Sequence, residues 1–331
     1  MSRAILVTGG AGYIGSHTCK ALAAAGFLPV SYDNLCRGHR WAVKWGPLEV
    51  GDIADGAALG AVLARYRPAA VLHFAGYGYV GESMQQPELY YANNVAASAR
   101  MLETLLAHRV DQLVFSSTCA VYGGVHSAPI TESAPLTPDN PYGFSKRVVE
   151  QMLADHGRAH GLRSLSLRYF NAAGADAGGE IGEWHDPEPH FLPAVLRVAR
   201  GLDPEIRVNG SDHATPDGTC VRDFVHVDDL ARAHVAALHA VLDGGAGGAL
   251  NLGTGTGCSL KEVLAAAARV TGRPIPARYG PRRAGDPPYA VGDATQAARV
   301  LGWSPQRSGL DSIVADAWRW LNRYLAGGVG V

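Results

Sequence analysis

The sequence has little of what marks membrane, secreted or nucleic-acid-binding proteins. Its 331 residues carry 29 Lys and Arg against 30 Asp and Glu, a formal net charge of −1. It contains no basic run, which argues against nucleic acid or an anionic membrane surface as the main partner. No apolar run approaches the roughly 20 residues that a membrane span needs. The chain enters an apolar run directly at Ala4, without the pattern of a signal peptide.

Cysteine is also scarce. The five cysteines are scattered and include no C-x-x-C pair, which favours reduced thiols in a cytoplasmic protein over a disulfide framework. Among the 13 histidines, His156 and His160 come closest to a ligand pair. They belong to an otherwise polar helix end, so we interpret them as surface residues and predict no metal site.

What the chain does contain is a strand, a glycine-rich turn and a helix at its start. Gly9 and Gly12 allow the backbone to turn tightly and approach a pyrophosphate, and Gly15 allows the helix to pack closely on the strand. Asp33 follows the second apolar run, where a carboxylate can bind an adenosine ribose diol and repel a 2′-phosphate. The pattern therefore favours NAD over NADP, although Arg37 nearby weakens that preference.

Small or polar residues also end the later strands, where open α/β sheets bind their ligands. Asp52 and Ile53 are candidates for holding an adenine, although an ordinary turn and helix cap explains them equally well. Ala75 leaves room for a cofactor. Asn93 lies on a long helical stretch over residues 87–107 that faces the same edge. Hydroxyl side chains at positions 116–118 end the fifth strand.

The apolar runs alternate with helical patterns and predict an α/β fold with a Rossmann-type doubly wound parallel sheet. We expect strands over residues 4–8, 28–32, 48–50, 70–74, 112–115 and 164–169. Residues 1–173 are predicted to form the NAD-binding domain, with returning segments near 217–243 and 291–303. Residues 174–331 are predicted to form mainly a smaller α/β substrate-binding domain.

A second candidate site begins at Pro141. Proline suits the first turn of a helix, and the apolar residues that follow recur at helical spacing. Tyr142 and Lys146 then lie one turn apart on one face. An ammonium beside a phenol favours the phenolate, which can act as a base. The alternative is a tyrosine and a lysine on a solvated face, because Y-x-x-x-K is common by chance.

These features belong to a longer series of short motifs in one order through almost the whole chain. The series is TGGAGYIGSH (8–17), DNL (33–35), GDI (51–53), HFAG (73–76), VGES (80–83), NNV (93–95), SSTCAVYG (116–123), PYGFSK (141–146), RYFNAAG (168–174), DGTCVRDFVHVDDLA (217–231), NLGTG (251–255) and RRAGD (282–286). With it the chain closely resembles the UDP-glucose 4-epimerases of the extended short-chain dehydrogenase/reductase family.

The resemblance implies C4 epimerisation of a UDP-sugar, UDP-glucose or UDP-galactose, through a 4-keto intermediate and a tightly held NAD. Tyr142 would take the proton of the 4-hydroxyl, and Lys146 would position the nicotinamide ribose. Thr118 would bridge the sugar and Tyr142, with Ser116 beside them. The implied NAD contacts are Gly9, Gly12, Tyr13, Ile14, Asp33, Asn34, Asp52, Ile53, Phe74, Ala75, Asn93, Tyr142, Lys146 and Tyr169. The implied UDP-sugar contacts are Thr118, Asn171, His190, Asn209, Arg222, Arg283, Asp286 and Ala290.

Four positions depart from the better-known members of the family. Gly78 replaces a lysine that contacts the cofactor in many of them. Asn209 stands where an aromatic residue usually lies beside the uracil, and His190 replaces a common asparagine. Ala290 is small at the position that limits sugar size, so we expect some turnover of UDP-N-acetylglucosamine and UDP-N-acetylgalactosamine.

Other functions on this scaffold stay open. A UDP-xylose/UDP-arabinose 4-epimerase would use the same residues. A non-catalytic NAD-binding protein would not need the intact Tyr142, Lys146 and Thr118. Cys119 and Ala120 replace the acid pair of 4,6-dehydratases, which argues against that reaction. The pathway, galactose catabolism or polysaccharide synthesis, is not indicated.

The resemblance also implies a homodimer, formed by the helices that begin near Glu88 and Tyr142. The apolar side chains that we expect either at this contact or in the core are Val95, Met101, Leu102, Leu105, Val148, Val149 and Met152.

Overall fold

A seven-stranded parallel sheet forms the centre of the computed structural model, which describes residues 2–124, 129–245, 247–282 and 287–327. The strands are β1 (Ala4–Thr8), β2 (Leu28–Asp33), β3 (Leu48–Val50), β4 (Val71–His73), β5 (Gln112–Thr118), β6 (Arg163–Tyr169), β7 (Asn171–Ala173), β8 (Ile206–Asn209), β9 (Val221–Arg222), β10 (Phe224–His226), β11 (Gly248–Leu252), β12 (Cys258–Ser259), β13 (Ala277–Gly280) and β14 (Tyr289–Ala290). The large sheet has the order β11-β6-β5-β4-β1-β2-β3.

Helices cover both faces of this sheet and build the remaining part. They are α1 (Tyr13–Ala24), α2 (Gly56–Tyr66), α3 (Val80–Gln85), α4 (Pro87–Tyr90), α5 (Ala97–Ala107), α6 (Pro141–His160), α7 (Phe191–Arg200), α8 (Val227–Leu242), α9 (Leu260–Thr271), α10 (Thr295–Leu301) and α11 (Leu310–Leu325). Short 3₁₀ turns occur at Arg40–Ala42 and Cys119–Tyr122, and a π-helical turn at Tyr91–Ala96 joins α4 to α5.

The two faces of the sheet carry separate apolar cores. Alternate side chains of a strand point to opposite faces, so Ile5 and Val7 pack in one core while Leu6 packs in the other. The first core is closed by α1, α8 and α10, and the second by α2, α5 and α6. This arrangement confirms the predicted doubly wound parallel sheet.

The sequence also predicts a strand over residues 250–253, and the structure confirms it as β11, but in a different place from the one expected. Gly248–Leu252 pairs in parallel with β6 and forms one edge of the main sheet. It lies outside the returning segments predicted near 217–243 and 291–303. The partners, Leu250 and Leu167 for example, are far apart in the chain. Such pairing depends on long-range packing that a local apolar pattern does not encode.

A smaller group of elements follows β7. Helices α7, α9 and α11 pack around a third apolar core. Strands β8 and β13 pair in parallel, and β9 lies between β12 and β14. Within the described ranges, no helix combines the length and the apolar character required to cross a membrane.

Candidate active site

Helix α6 begins where its sequence requires, and it carries the Tyr142 and Lys146 pair. Asn140 is the N-cap and accepts a hydrogen bond from Gly143 N over 2.8 Å, while Pro141 occupies the first turn. A Cβ on Gly143 would lie 2.4 Å from Ala120 O. Glycine therefore allows the first turn of α6 to rest directly on the segment that leaves β5.

Tyr142 is half-buried beside the carboxyl end of β5. Its hydroxyl shares a hydrogen bond with Thr118, the last residue of that strand. Burial raises the pKa of Tyr142 to about 12, the Thr118 hydrogen bond opposes that rise, and Cys119 adds to it. The predicted lowering of this pKa by the Lys146 ammonium is therefore wrong for the protein alone. A buried site penalises the phenolate more than the surrounding groups stabilise it.

Lys146 lies one turn further along α6 and is buried. Its Nζ donates a hydrogen bond to Ser116 O over 3.0 Å, so it contacts the backbone of β5. Burial lowers the pKa of Lys146 to about 8, and the Glu150 carboxylate works in the opposite direction. A Cβ on Gly76 would lie 3.3 Å from Nζ. The absence of a side chain there leaves space beside the ammonium.

Two further groups complete this edge of the sheet. The Ser116 and Tyr169 hydroxyls, on the neighbouring strands β5 and β6, share a short hydrogen bond. On α6, one turn after Lys146, Glu150 accepts hydrogen bonds from Arg168 and from Ser117 Oγ. Ser116, Thr118, Tyr142 and Lys146, all predicted to be catalytic, are thus brought together.

The glycine turn has the shape of a phosphate cradle. Gly9 adopts φ +73°, and a Cβ there would lie 2.6 Å from Ala75 N. A Cβ on Gly15 would lie 2.2 Å from Gly9 O. Helix α1 begins after Gly12 without a side-chain cap, so its first N–H groups point towards the turn. These close approaches fit a dinucleotide pyrophosphate.

Asp33 ends β2 on the same side of the sheet. Its carboxylate accepts hydrogen bonds from Ala11 N over 3.0 Å and from Leu35 N over 2.8 Å, which fix its orientation. Burial raises the pKa of Asp33, and these two hydrogen bonds oppose the rise. A carboxylate held this way is suited to a ribose diol.

The side chain of Arg37, which weakened the expected preference for NAD, contacts Glu82 and two tyrosines. Its Nη2 donates to both carboxylate oxygens of Glu82 over 2.8 Å. The guanidinium also stacks on Tyr77 and Tyr79, at 3.9 Å and 4.6 Å from the ring centroids. Arg37 is therefore held by an acidic partner and by aromatic rings, while its Nη1 is buried without a hydrogen-bond partner among the described residues.

Other predicted cofactor residues have side chains engaged elsewhere. Tyr13 donates to Gly174 O over 2.7 Å, and Asn34 donates to Asp52 Oδ2 over 2.9 Å. The apolar side chains of Ile14, Ile53 and Phe74 pack in the two cores of the sheet.

The π-helical turn changes which asparagine faces inward. Asn94 is buried, accepts from Tyr77 N over 2.8 Å and donates to Ser145 Oγ over 3.0 Å. Asn93, the predicted contact, is only half-buried and donates to Asn94 Oδ1. Through Asn94, the wide turn thus links the loop after β4, which contains Tyr77, to α6, which contains Ser145.

The predicted substrate residues fall into two places. Asn171 lies on β7 beside β10, and Arg222 on β9 is aligned with Ala290 on β14. Arg222 Nη1 donates to Val221 O and Pro287 O. Arg283 and Asp286 lie outside the described residues.

The neighbouring Asp223 is buried and fully engaged. It accepts hydrogen bonds from Thr254 N and Oγ1 and from Gly292 N. These contacts hold the loop after β11 against β9, so the role of this carboxylate is to support the strand that carries Arg222.

Asn209 and His190 lie in the smaller group of elements. Asn209 ends β8 and is aligned with Gly280 of β13. His190 is the N-cap residue of α7, and its ring faces Glu183 and Glu188. The ring of His190 is therefore engaged by carboxylates, which the sequence analysis did not foresee.

A model of the NAD dependent epimerase/dehydratase family matches residues 5–253 of the chain. The chain belongs to this family. Among its members, it is 52% identical over 324 residues to the UDP-glucose 4-epimerase of Rhizobium meliloti (strain 1021), covering 98% of each chain.

Two solved structures of UDP-glucose 4-epimerases are also similar. The crystal structure from Brucella ovis in complex with NAD has 48% identity and a TM-score of 0.94, covering 96% of this chain and 98% of that one. The structure from Stenotrophomonas maltophila with bound NAD and formylated UDP-arabinopyranose has 39% identity and a TM-score of 0.95, covering 98% and 99%. These findings confirm the predicted family, fold and NAD cofactor.

Several residues close to the site of this epimerase/dehydratase were not predicted from its sequence. Glu150 follows Lys146 by four positions on the same helix, a spacing that could have identified it. Its partner Arg168 could not be found that way, because it lies on a different strand. The spacing Glu183-x-His185-x-x-Glu188-x-His190 is also readable in the sequence, although only His190 was predicted to belong to a site.

Proposed function

We propose that the protein interconverts UDP-glucose and UDP-galactose by reversible oxidation at C4 of the sugar, with a resident NAD. The convergence of Thr118, Tyr142 and Lys146 at the carboxyl end of β5 carries this proposal. In an open α/β sheet that edge is where ligands bind. A bound NAD would supply the hydride acceptor, and later the hydride donor, that oxidation and reduction at C4 require.

The residues of the chain supply the proton transfer. Tyr142 takes the proton of the 4-hydroxyl and returns it when the C4–H bond is restored. Because burial raises the pKa of Tyr142 in the protein alone, the phenolate that this step needs would depend on the positive charges of Lys146 and of bound NAD. Thr118 shares a hydrogen bond with Tyr142, so it can carry that proton between the sugar oxygen and the phenol. Lys146 is fixed by Ser116 O and supplies a positive charge in a buried site. The glycine turn and Asp33 would hold the pyrophosphate and the adenosine ribose.

For the UDP part we propose Arg222 and Asn171, together with Arg283 and Asp286. A guanidinium suits a diphosphate, and a carboxylate suits a ribose diol. The alignment of Ala290 with Arg222 supports its place beside the substrate. A methyl group there leaves room for a 2-N-acetyl substituent, so we also propose a side activity on UDP-N-acetylhexosamines.

A pentose substrate is the second candidate. The structure from Stenotrophomonas maltophila, which is similar over almost the whole chain, holds a formylated UDP-arabinopyranose. Epimerisation of UDP-xylose would use the same groups, because the reacting C4 is the same. A non-catalytic NAD-binding role is disfavoured, since it gives no reason for Tyr142, Lys146 and Thr118 to converge.

The test is to replace Tyr142 with phenylalanine. Turnover should be lost while NAD stays bound, because the change removes only the hydroxyl that transfers the proton. The matched control is Tyr91→Phe, at a tyrosine whose side chain is largely exposed to solvent, and this variant should keep its epimerase activity. Both variants are incubated with UDP-hexoses, UDP-N-acetylhexosamines and UDP-pentoses without added NAD. Undiminished epimerisation by Tyr142→Phe would refute the proposed base.

We further propose a cytoplasmic homodimer, with residues 1–173 forming most of the NAD-binding domain. Cys19, Cys36, Cys119 and Cys258 form no disulfide, which supports a reducing compartment. Met101, Leu102, Leu105 and Val149 of the expected contact are buried in the core of the single chain.

The aromatic pair Tyr91 and Phe144 is the better candidate for the contact between subunits. These rings are 41% and 48% exposed, and they meet edge to face on the same two helices. Light scattering of Phe144→Ser should show a single subunit mass if this surface forms the dimer.

A further inference from the structure

Four side chains with metal-binding atoms, none of them among the proposed proton-transfer groups, converge in the segment before α7. They are Glu183, His185, Glu188 and His190, and one atom of each lies within 4.8 Å of the others. We propose that these residues bind one Zn²⁺ ion per chain in a structural site.

The distances between these atoms are close to those of a tetrahedral zinc site. Zinc–nitrogen and zinc–oxygen bonds of about 2.0–2.2 Å put neighbouring ligand atoms roughly 3.4 Å apart. His185 Nδ1 lies 3.4 Å from Glu188 Oε2 and 3.6 Å from Glu183 Oε1. His190 Nδ1 lies 3.3 Å from Glu188 Oε1 and 2.8 Å from Glu183 Oε1. Of these four distances only the last is clearly shorter than the tetrahedral value, by about 0.6 Å. Glu188 enters them with a different oxygen for each histidine, so one of its two contacts would also have to adjust when a single oxygen binds the ion.

The burial of the cluster gives a second, independent reason. The side chains of Glu183 and Glu188 are only 7% and 6% exposed, and buried carboxylates require compensating positive charge. His190 Nδ1 is buried and faces both carboxylates, at 2.8 Å from Glu183 Oε1 and 3.3 Å from Glu188 Oε1. A cation shared by this nitrogen and the two carboxylates, either a proton on His190 or a metal ion, would supply that charge.

The types of ligand select the metal. Two imidazoles favour Zn²⁺ over Mg²⁺ or Ca²⁺, which prefer oxygen ligands throughout. Two carboxylates balance the charge of the ion. Four protein ligands leave no open position, which is typical of structural rather than catalytic zinc.

The site would fix the start of α7. His190 is the N-cap residue of that helix, and its backbone N–H donates to Glu188 Oε1 over 2.8 Å. Tyr79, from the loop after β4, contacts the rings of both His185 and His190 edge to face, with centroids 5.6 Å apart in each case. A bound ion would therefore connect α7 to the side of the sheet that carries the cofactor cradle.

The experiment measures metal in the NAD-loaded protein after production in zinc-supplemented medium and gel filtration. We expect about one equivalent of zinc per chain, as in closed four-ligand sites. His185→Gln and Glu188→Gln should each lose most of it. His160→Gln is the matched control, because it disrupts the surface histidine pair on α6, whose rings lie 5.7 Å apart, and it should keep the metal.

Two further measurements exclude a loss caused by misfolding. Co²⁺-loaded wild-type protein should show the visible bands of a tetrahedral site, and these bands should vanish in both variants while circular dichroism and bound NAD persist. A chelator should lower the melting temperature of the wild type and leave that of His185→Gln unchanged. Zinc-free wild-type protein without a Co²⁺ spectrum would overturn the proposal, and so would unchanged zinc in both variants. The four residues would then form two imidazolium–carboxylate pairs.

Discussion

Arg168 on β6 forms a buried ion pair with Glu150 on α6. Replacing Arg168 with methionine should destabilise the protein far more than removing an exposed ion pair of α6. Arg168 donates to Glu150 from Nε over 2.8 Å and from Nη2 over 2.7 Å, and the two side chains are 6% and 5% exposed. In Arg168→Met the buried Glu150 carboxylate keeps its hydrogen bond from Ser117 Oγ but loses the positively charged guanidinium that faces it. Loss of one partner from a buried pair costs about 3–5 kcal/mol, against a total stability of about 5–15 kcal/mol.

The matched control is Arg158→Met. Arg158 pairs with Asp155 on α6, but these side chains are 70% and 54% exposed, so the loss should be about 0–1 kcal/mol. The assay is urea unfolding with excess NAD, followed by circular dichroism. Adding Glu150→Gln to Arg168→Met should recover part of the loss, because it removes the unpaired charge. Equal losses for Arg168→Met and Arg158→Met would refute the reasoning.

Three further outcomes are expected. Burial lowers the pKa of Lys146 from 10.5 to about 8, so the unfolded chain binds more protons between these values. The free energy of unfolding of cofactor-free protein should therefore rise by up to about 3 kcal/mol from pH 8 to about 10.5, and urea titrations of Lys146→Met should lack this rise. Gly15→Ala should lose NAD absorbance after gel filtration, because its Cβ would lie 2.2 Å from Gly9 O, whereas Gly78→Ala, in open space, should keep it. Ala290→Tyr should abolish UDP-N-acetylglucosamine turnover and spare UDP-glucose; equal loss in a coupled assay would contradict the size argument.

Local patterns predicted the fold because buried parallel strands must be apolar almost throughout. The run Ala4–Thr8 needs no partner to be recognised as a strand, since its side chains are covered on both faces. The start of α6 was equally readable, because Asn140 and Pro141 satisfy the cap and the first turn by themselves. Signals of this kind require no knowledge of the distant chain.

Features that depend on distant packing were not predictable in the same way. Gly248–Leu252 becomes a strand of the main sheet only through β6. The inward position of Asn94 depends on the π-helical turn, which shifts the phase of the helix. The pKa of Tyr142 was predicted in the wrong direction because the sequence shows a neighbouring charge but not the extent of burial.

The proposed proton-transfer groups are held by contacts along the first three turns of α6. At its start, Gly143 rests on Ala120 O, which fixes Tyr142 beside the end of β5. In the middle, Lys146 donates to the backbone of the same strand. One turn later, Glu150 attaches the helix to Arg168 on β6. A shift of about 1 Å in a catalytic group is enough to slow a reaction strongly, so we predict that the buried ion pair also matters for catalysis. Arg168→Met should lose turnover even under conditions in which the variant stays folded and binds NAD.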